Sequence, residues 1–213
     1  AYTRSIGSVS ISDDHFDPSA ISETQTCMPD WDADAKARIF LAQCMEEHDS
    51  AGGIVECVVS GVPAGIGDPV FEKLDAMLSM AVMSIGAVKA VEIGDGIAVT
   101  RRKGSENNDA FYADHGQLKK KTNHAGGILG GISDGSDIIL RAHFKPTPSI
   151  FQKQHTVTNT LKNTELEIKG RHDPTVVPRA VVVVECMTAL TILDACMKNM
   201  TARLDYLVDF YQS

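Results

Sequence analysis

The chain has 213 residues, 43% of them hydrophobic and 23% charged, with a formal net charge of -8. That length suits one sizeable domain or two small ones, and the composition excludes a disordered or fibrous chain. The acidic balance argues against general nucleic-acid binding, because neutralising phosphates needs net basic surface.

Residues 1–12 alternate small polar and apolar side chains and read as a strand already under way. They lack a basic n-region and a continuous apolar core, so they do not read as a signal peptide. Residues 13–31, with Pro18 and Pro29, predict a polar surface excursion. Asp32 is a candidate cap for a helix to about Asp49, with Ala37, Phe40, Leu41, Cys44 and Met45 on one face. "GIVECVVSGVP" then predicts a short strand. Asp68 before Pro69 predicts the start of a long amphipathic helix through Phe71, Leu74, Met77, Leu78, Ala81, Val82 and Ile85. After Gly86, "AVKAVEIG" predicts another strand.

Residues 101–122 are charged and aperiodic and predict a mobile loop, long enough to suggest function. Dense glycine follows in "NHAGGILGGISDG". "IILRAHFK" predicts a strand, "PTPSI" a stiff extended segment, and "HTVTNTLKNTELEIK" polar strands. Pro178 predicts the start of a final helix with Ala180, Val183, Val184, Met187, Leu190 and Thr191 inward. Its four consecutive valines favour a strand intrinsically, so tertiary context must win there. Strands interleaved with three long helices give an α+β sandwich.

Five cysteines, with no CxxC pair and an odd total, form neither a disulfide framework nor a zinc ribbon, and point to a reducing cytoplasm. No apolar run reaches about 18 residues without charge, so no membrane partner is expected. His124, His143 and His172 lack metal-binding spacing, and no metal site is predicted.

Neither nucleotide-loop fingerprint fits the glycine stretch. Its glycines can be a tight turn between strands, or can bring backbone N–H groups onto an anion or a flat ligand. In "KPTPS", Pro146 and Pro148 fix the backbone and fan out Lys145, Thr147 and Ser149, a set suited to phosphate or a polar ring edge. Arg171 is a planar fork for phosphate or carboxylate, and Asp173 precedes a proline. Glu185, set among valines, is expected to pair with a lysine or arginine.

Four stretches carry a family resemblance: "SGVPAGIGDPVFEKLDAMLSMAVMSIGAVKAVEIGDG", "NHAGGILGGISDG", "KPTPSI" and "KGRHDPTVVPRAVVVVECM". In this order and spacing they resemble chorismate synthases, from about Gly61 onward. The resemblance implies helices sandwiched between antiparallel sheets, a homotetramer, and reduced FMN as cofactor. The implied reaction is trans-1,4 elimination of phosphate from 5-enolpyruvylshikimate 3-phosphate to give chorismate. It further implies FMN contacts at Gly86, Ala87, Gly130, Lys145, Pro146, Thr147, Pro148, Ser149 and Arg171, with Asp173 as the catalytic carboxylate near flavin N5. NADPH is associated with flavin reduction in the family, and none of the quoted motifs is assigned to it.

Two departures stand out. Gly86 occupies a position that is asparagine in many members, and the family's early histidine, second catalytic histidine and GGRSSAR-like segment have no counterpart here. The chain therefore reads as the C-terminal part of a single chorismate synthase domain and is expected to be inactive alone. The alternative is a non-catalytic FMN- or phosphate-binding module. An oxidoreductase is disfavoured because no dinucleotide fingerprint appears.

Overall fold

The computed structural model describes residues 1–168, 170 and 173–212, with Gln117 described by its backbone alone. The strands are β1 (Tyr2–Ile6), β2 (Val9–Ser10), β3 (Gly53–Val59), β4 (Val88–Ile93), β5 (Phe111–Asp114) and β6 (Gln117–Lys120), then β7 (Ile128–Leu129), β8 (Ile132–Ser133), β9 (Ile138–Phe144), β10 (Gln154–Val157) and β11 (Asn163–Leu166). The helices are α1 (Ala20–Glu23), α2 (Trp31–Glu46), α3 (Leu74–Met83), α4 (Gly104–Asn107), α5 (Val177–Asn199) and α6 (Leu204–Gln212). Unit one comprises Ala1, Glu56–Ala142 and Val182–Ser213, and unit two comprises Tyr2–Val55 and His143–Val181. Strands β3 and β9 contribute residues to both units.

In unit two the strand order is β2-β1-β3-β9, and β10 and β11 form a separate antiparallel hairpin. The expected strand over 1–12 is instead a hairpin, with Ser5 opposite Ser10 and Ile6 opposite Val9. Gly7 makes that fold-back with φ +54, and a Cβ there would lie 2.3 Å from the ring of Phe40. Residues 13–31 are more than a surface excursion. Ala20 and Met28 are fully buried, and Thr24 Oγ1 ties the segment by donating to the Met28 carbonyl at 2.9 Å.

Helix α2 is capped by Asp30 rather than Asp32, because Asp30 Oδ1 accepts from the N–H groups of Asp32 and Ala33, each at 3.0 Å. Burial would raise the Asp30 carboxyl, but backbone hydrogen bonds from Ser12, Ala33 and Asp32 bring it below the ordinary carboxylate value. Of the expected apolar face, Ala37 and Cys44 are buried, Phe40 and Leu41 half-buried, and Met45 exposed.

In unit one the order is β3-β9-β4, with β5–β6 and β7–β8 as separate two-stranded hairpins. Helix α3 begins at Leu74, five residues later than Asp68-Pro69 suggests. Asp68 Oδ1 does accept from the N–H groups of Val70 and Phe71, at 2.8 and 3.1 Å. The turn it makes goes no further, because Leu74 N donates to the distant Gly131 carbonyl at 2.8 Å and its side chain is fully buried. Phe71 is left exposed, while Leu78 and Val82 complete the buried stripe of α3.

Residues 101–122 are not an irregular stretch. They contain α4 and the β5–β6 hairpin, in register from Phe111 opposite Lys120 to Asp114 opposite Gln117. The packing that orders them is polar: Lys120 Nζ is buried between Asp134 Oδ2 (2.7 Å), Asn123 Oδ1 (3.0 Å) and Asp109 Oδ2 (3.5 Å).

Helix α5 opens one residue before Pro178 and buries Val177, Ala180, Val181, Val184, Thr188 and Ile192. Val183 and Leu190, expected inward, are exposed, so the buried stripe is rotated from the sequence reading. At 23 residues, with a mean hydropathy of 1.9 over an 18-residue stretch, α5 is long and apolar enough to cross a membrane by length and composition, although Glu185 and Asp194 interrupt it and no run of 18 residues in it is free of charge. Glu185, set among these valines in sequence, has an exposed side chain.

Candidate functional site

Within unit two, two motif segments separated in sequence share one cavity. A space of about 100 Å³ is lined by Met45, His48, Asp49, Ser50, Ser149, Ile150, Phe151, Asp173 and Pro174. Ser149 comes from the proline strip and Asp173 from the RHDP segment, so the structure brings these two predicted residues together. The other wall, Met45 to Ser50, reads in the sequence only as the end of a helix and not as part of a site.

That wall is built by the end of α2. The His48 N–H donates to the Met45 carbonyl at 3.2 Å and the Asp49 N–H to the Cys44 carbonyl at 2.8 Å. These are the paired bonds of a Schellman C-cap, whose left-handed position usually holds glycine. Here His48 occupies it, at φ +58. A bulky side chain in that conformation costs of order 1 kcal/mol or more, and such strain gathers at functional positions. The imidazole it presents meets the edge of Phe151, with ring centroids 5.9 Å apart. This turn could have been found from "EEHDSAGG", where a helix must stop before Gly52-Gly53 without a glycine at the stop itself.

Asp173 is about one-third exposed and pairs with Arg179 Nη1 at 2.5 Å, from the first turns of α5. The sequence suggested Arg171 as its neighbour; Arg171 lies outside the described residues. Lys145, Pro146 and Pro148 are exposed, and Thr147 and Ser149 half-buried. Lys145 has no carboxylate within ion-pair distance among the described residues. The Thr147 hydroxyl is shut away from solvent and has no hydrogen-bond partner among them. An ammonium, an orphaned hydroxyl and a cavity-lining serine form a donor set that fits the polar edge or phosphate of a flavin. The cavity is well below the roughly 300 Å³ of a complete cofactor site. By itself it accommodates a part of such a molecule.

Unit one holds the remaining predicted positions. Gly86 and Ala87 form the turn between α3 and β4, where Val88 N donates to the Ile85 carbonyl at 3.2 Å. The left-handed conformation falls on Ala87, at φ +72, and a Cβ built on Gly86 meets nothing within 4 Å. Nothing in the backbone therefore requires glycine at 86. Gly130 opens the β7–β8 turn at φ +62, where an added Cβ would meet open space, while a Cβ on Gly131 would lie 2.7 Å from the Asp68 carbonyl oxygen. Gly130 and Gly131 form the tight turn between β7 and β8.

The glycine stretch is anchored through its first residues. Asn123 Oδ1 accepts from the Gly127 N–H at 2.8 Å, and Asp109 accepts from the N–H groups of His124 and Ala125 at 2.8 and 3.0 Å. His124 Nδ1 meets Asp95 Oδ2 at 2.6 Å, and Arg102 pairs with the same carboxylate. Burial would raise the Asp95 carboxyl, but its bonds from His124 and Arg102 hold it below the ordinary value. A larger cavity of about 750 Å³ lies along Lys119, Lys120 and Lys121. Lys119 is paired with Asp114 at 2.6 Å and Lys120 is buried, which leaves Lys121 as the lysine of that run without an ion pair among the described residues.

Comparison with known proteins places these features. Residues 1–197 match the family model described as chorismate synthase. A chorismate synthase of Agathobacter rectalis is 54% identical over 211 residues, which cover 99% of this chain and 58% of the relative. One of Archaeoglobus fulgidus is 54% identical over 171 residues, covering 80% of this chain and 47% of its own length. A solved structure titled "Crystal Structure of Chorismate Synthase" superimposes with a TM-score of 0.77 at 24% identity, covering 99% of this chain and 60% of that one. The α+β arrangement of helices and antiparallel sheets is thus that fold. The chain spans about 58% of the length of the Agathobacter rectalis relative.

Proposed function

The chain belongs to the chorismate synthase family, and we propose that a protein of the relatives' length carrying it is a carbon–oxygen lyase of aromatic amino acid biosynthesis. Its reaction is the trans-1,4 elimination of phosphate from 5-enolpyruvylshikimate 3-phosphate, giving chorismate. The observation that carries this reading is the shared cavity of unit two, where Ser149 and Asp173 stand on one wall system.

The elimination breaks a ring C–H bond, shifts the existing double bond and expels phosphate from carbon. Such chemistry needs a proton acceptor at the C–H carbon and positive or hydrogen-donating groups for the anion. Reduced FMN, when bound, would supply an electron-rich ring to this elimination. Asp173 is the carboxylate proposed to help take the C6 proton, and its pairing with Arg179 keeps it oriented at the cavity. In unit two, Lys145, Pro146, Thr147, Pro148, Ser149 and Arg171 are proposed flavin contacts. In unit one, Gly86, Ala87 and Gly130 are, with the contact at 86 made through backbone. The active protein is proposed to be a cytoplasmic homotetramer that binds neither nucleic acid nor membrane and needs no metal.

The Asp173–Arg179 pair also favours a second reading, a module that binds FMN or phosphate without turnover, because an ion-paired carboxylate can be purely structural. One assay separates the two. Residues 1–213 alone, and the same residues joined to the part of the Agathobacter rectalis relative that they do not span, are mixed anaerobically with reduced FMN and substrate. Chorismate absorbance is expected from the joined protein only. No product from a folded, flavin-binding joined protein favours the module, and full activity from residues 1–213 alone refutes the proposed inactivity of the chain.

A further inference from the structure

We propose that Ser50 is a positioning residue that sets the geometry between the proline strip and Asp173, an assignment that rests on reading the strip as a flavin cradle. Ser50 Oγ donates to the Thr147 carbonyl at 2.7 Å. The next residue, Ala51, donates its N–H to the Pro174 carbonyl, also at 2.7 Å. Two consecutive residues thus hold two segments that are distant in sequence, one beside Ser149 and the other beside Asp173. Gly52 extends the clamp, since a Cβ there would lie 2.3 Å from the Phe144 carbonyl oxygen and 3.1 Å from Pro146 Cδ.

The chemistry of the strip makes the Ser50 bond matter. Pro146 and Pro148 have no N–H to give, so the strip is anchored mainly through its carbonyls. Thr147's carbonyl takes Ser50, and Pro148's takes Gln154 Nε2 at 2.9 Å. Turning the Thr147–Pro148 peptide plane would swing both the Thr147 hydroxyl, which has no partner among the described residues, and Ser149 at the cavity wall. Ser50 is itself fixed, because its N–H donates to its neighbour Asp49 Oδ1 at 2.8 Å.

The test uses the joined full-length protein with Ser50→Ala, Ser50→Cys and Ser50→Thr, and reads FMN affinity by flavin fluorescence, urea midpoint, and kcat against KM. A lost hydrogen bond of ordinary strength predicts FMN binding weakened about 3- to 10-fold in Ser50→Ala. A fall in kcat with KM for substrate within about twofold, an intermediate loss in Ser50→Cys, and recovery in Ser50→Thr complete the expected pattern for a group lost from positioning rather than binding. Ser50→Ala that shifts only the urea midpoint, leaving flavin affinity and kcat unchanged, overturns the proposal. Should Ser50→Ala fail to fold, unchanged flavin affinity in folded Ser50→Cys overturns it equally. Wild-type protein that binds no flavin overturns the cradle reading itself, a result distinct from wild type and Ser50→Ala binding alike.

Discussion

Asp109→Asn tests whether the polar knot under the β5–β6 hairpin holds residues 101–122 in place. The Asp109 side chain is 4% exposed. Burial alone would raise its carboxyl, but hydrogen bonds from the Thr122 hydroxyl and the Ala125 and His124 N–H groups, with the Lys120 charge, bring it down from 3.8 to about 2. At about 1.36 kcal/mol per pKa unit, that gap is worth roughly 2.5 kcal/mol of folding stability. Because the folded value is the lower one, this stability is fully present above about pH 4 and is lost as pH falls toward 2. The substitution also leaves Lys120 buried with Asp134 as its remaining carboxylate, which adds to the loss rather than offsetting it. Urea denaturation of residues 1–213 at pH 7, 5 and 3 is the assay. Asp109→Asn is expected to lose about 2–4 kcal/mol at pH 7, and the difference from wild type should shrink at pH 3. Amide exchange should quicken along Phe111–Lys120. Equal urea midpoints at pH 7, or a difference that grows in acid, would refute the reasoning.

In the full-length protein Asp173→Asn should leave FMN affinity within about threefold and slow turnover by about two to four orders of magnitude, as for a lost acid/base group; wild-type turnover would remove Asp173 from the chemistry. Gly52→Ala should destabilise residues 1–213 by about 1–3 kcal/mol in urea, since the added methyl meets backbone that cannot turn away. Gly86→Asn, by contrast, should leave the urea midpoint unchanged within about 0.5 kcal/mol, because the new side chain enters open space without a left-handed backbone. Replacing His48 by glycine should relieve the strained helix end and raise stability by up to about 1 kcal/mol, read as a higher thermal midpoint; a lower one would show that the contact with Phe151 outweighs the strain.

Most elements were legible where a local pattern and the tertiary demand agreed. β9 alternates buried and half-buried residues along Ile138–Phe144, and Leu74, Leu78 and Val82 fall on one face of α3, as their spacing requires. The reading failed where a distant partner decided. The start of α3 is fixed by the carbonyl of Gly131, and the cap of α2 is Asp30 rather than the expected Asp32, with Ser12 N donating to Asp30 Oδ2 at 3.0 Å. The hairpin at 111–120 was invisible because its ordering comes from a buried ammonium among carboxylates, and hydropathy patterns do not record that. In the candidate site, the proline strip and Asp173 announced themselves by motif. Met45, His48 and Ser50 did not, since their role arises only from where α2 stops.

The interleaving of the two units has a consequence for biosynthesis. Unit two lacks His143–Val181 until the ribosome has passed those residues, and unit one still lacks Val182–Ser213. At about 5–20 residues per second, the 78 residues between β3 and β9 take roughly 4 to 16 seconds to make. During that interval neither unit has all of its parts, and the edge of β3 that pairs with β9 awaits a strand not yet translated. A nascent chain of this kind carries an unpaired strand edge through much of its synthesis, and a stop codon anywhere before Val181 leaves both units incomplete.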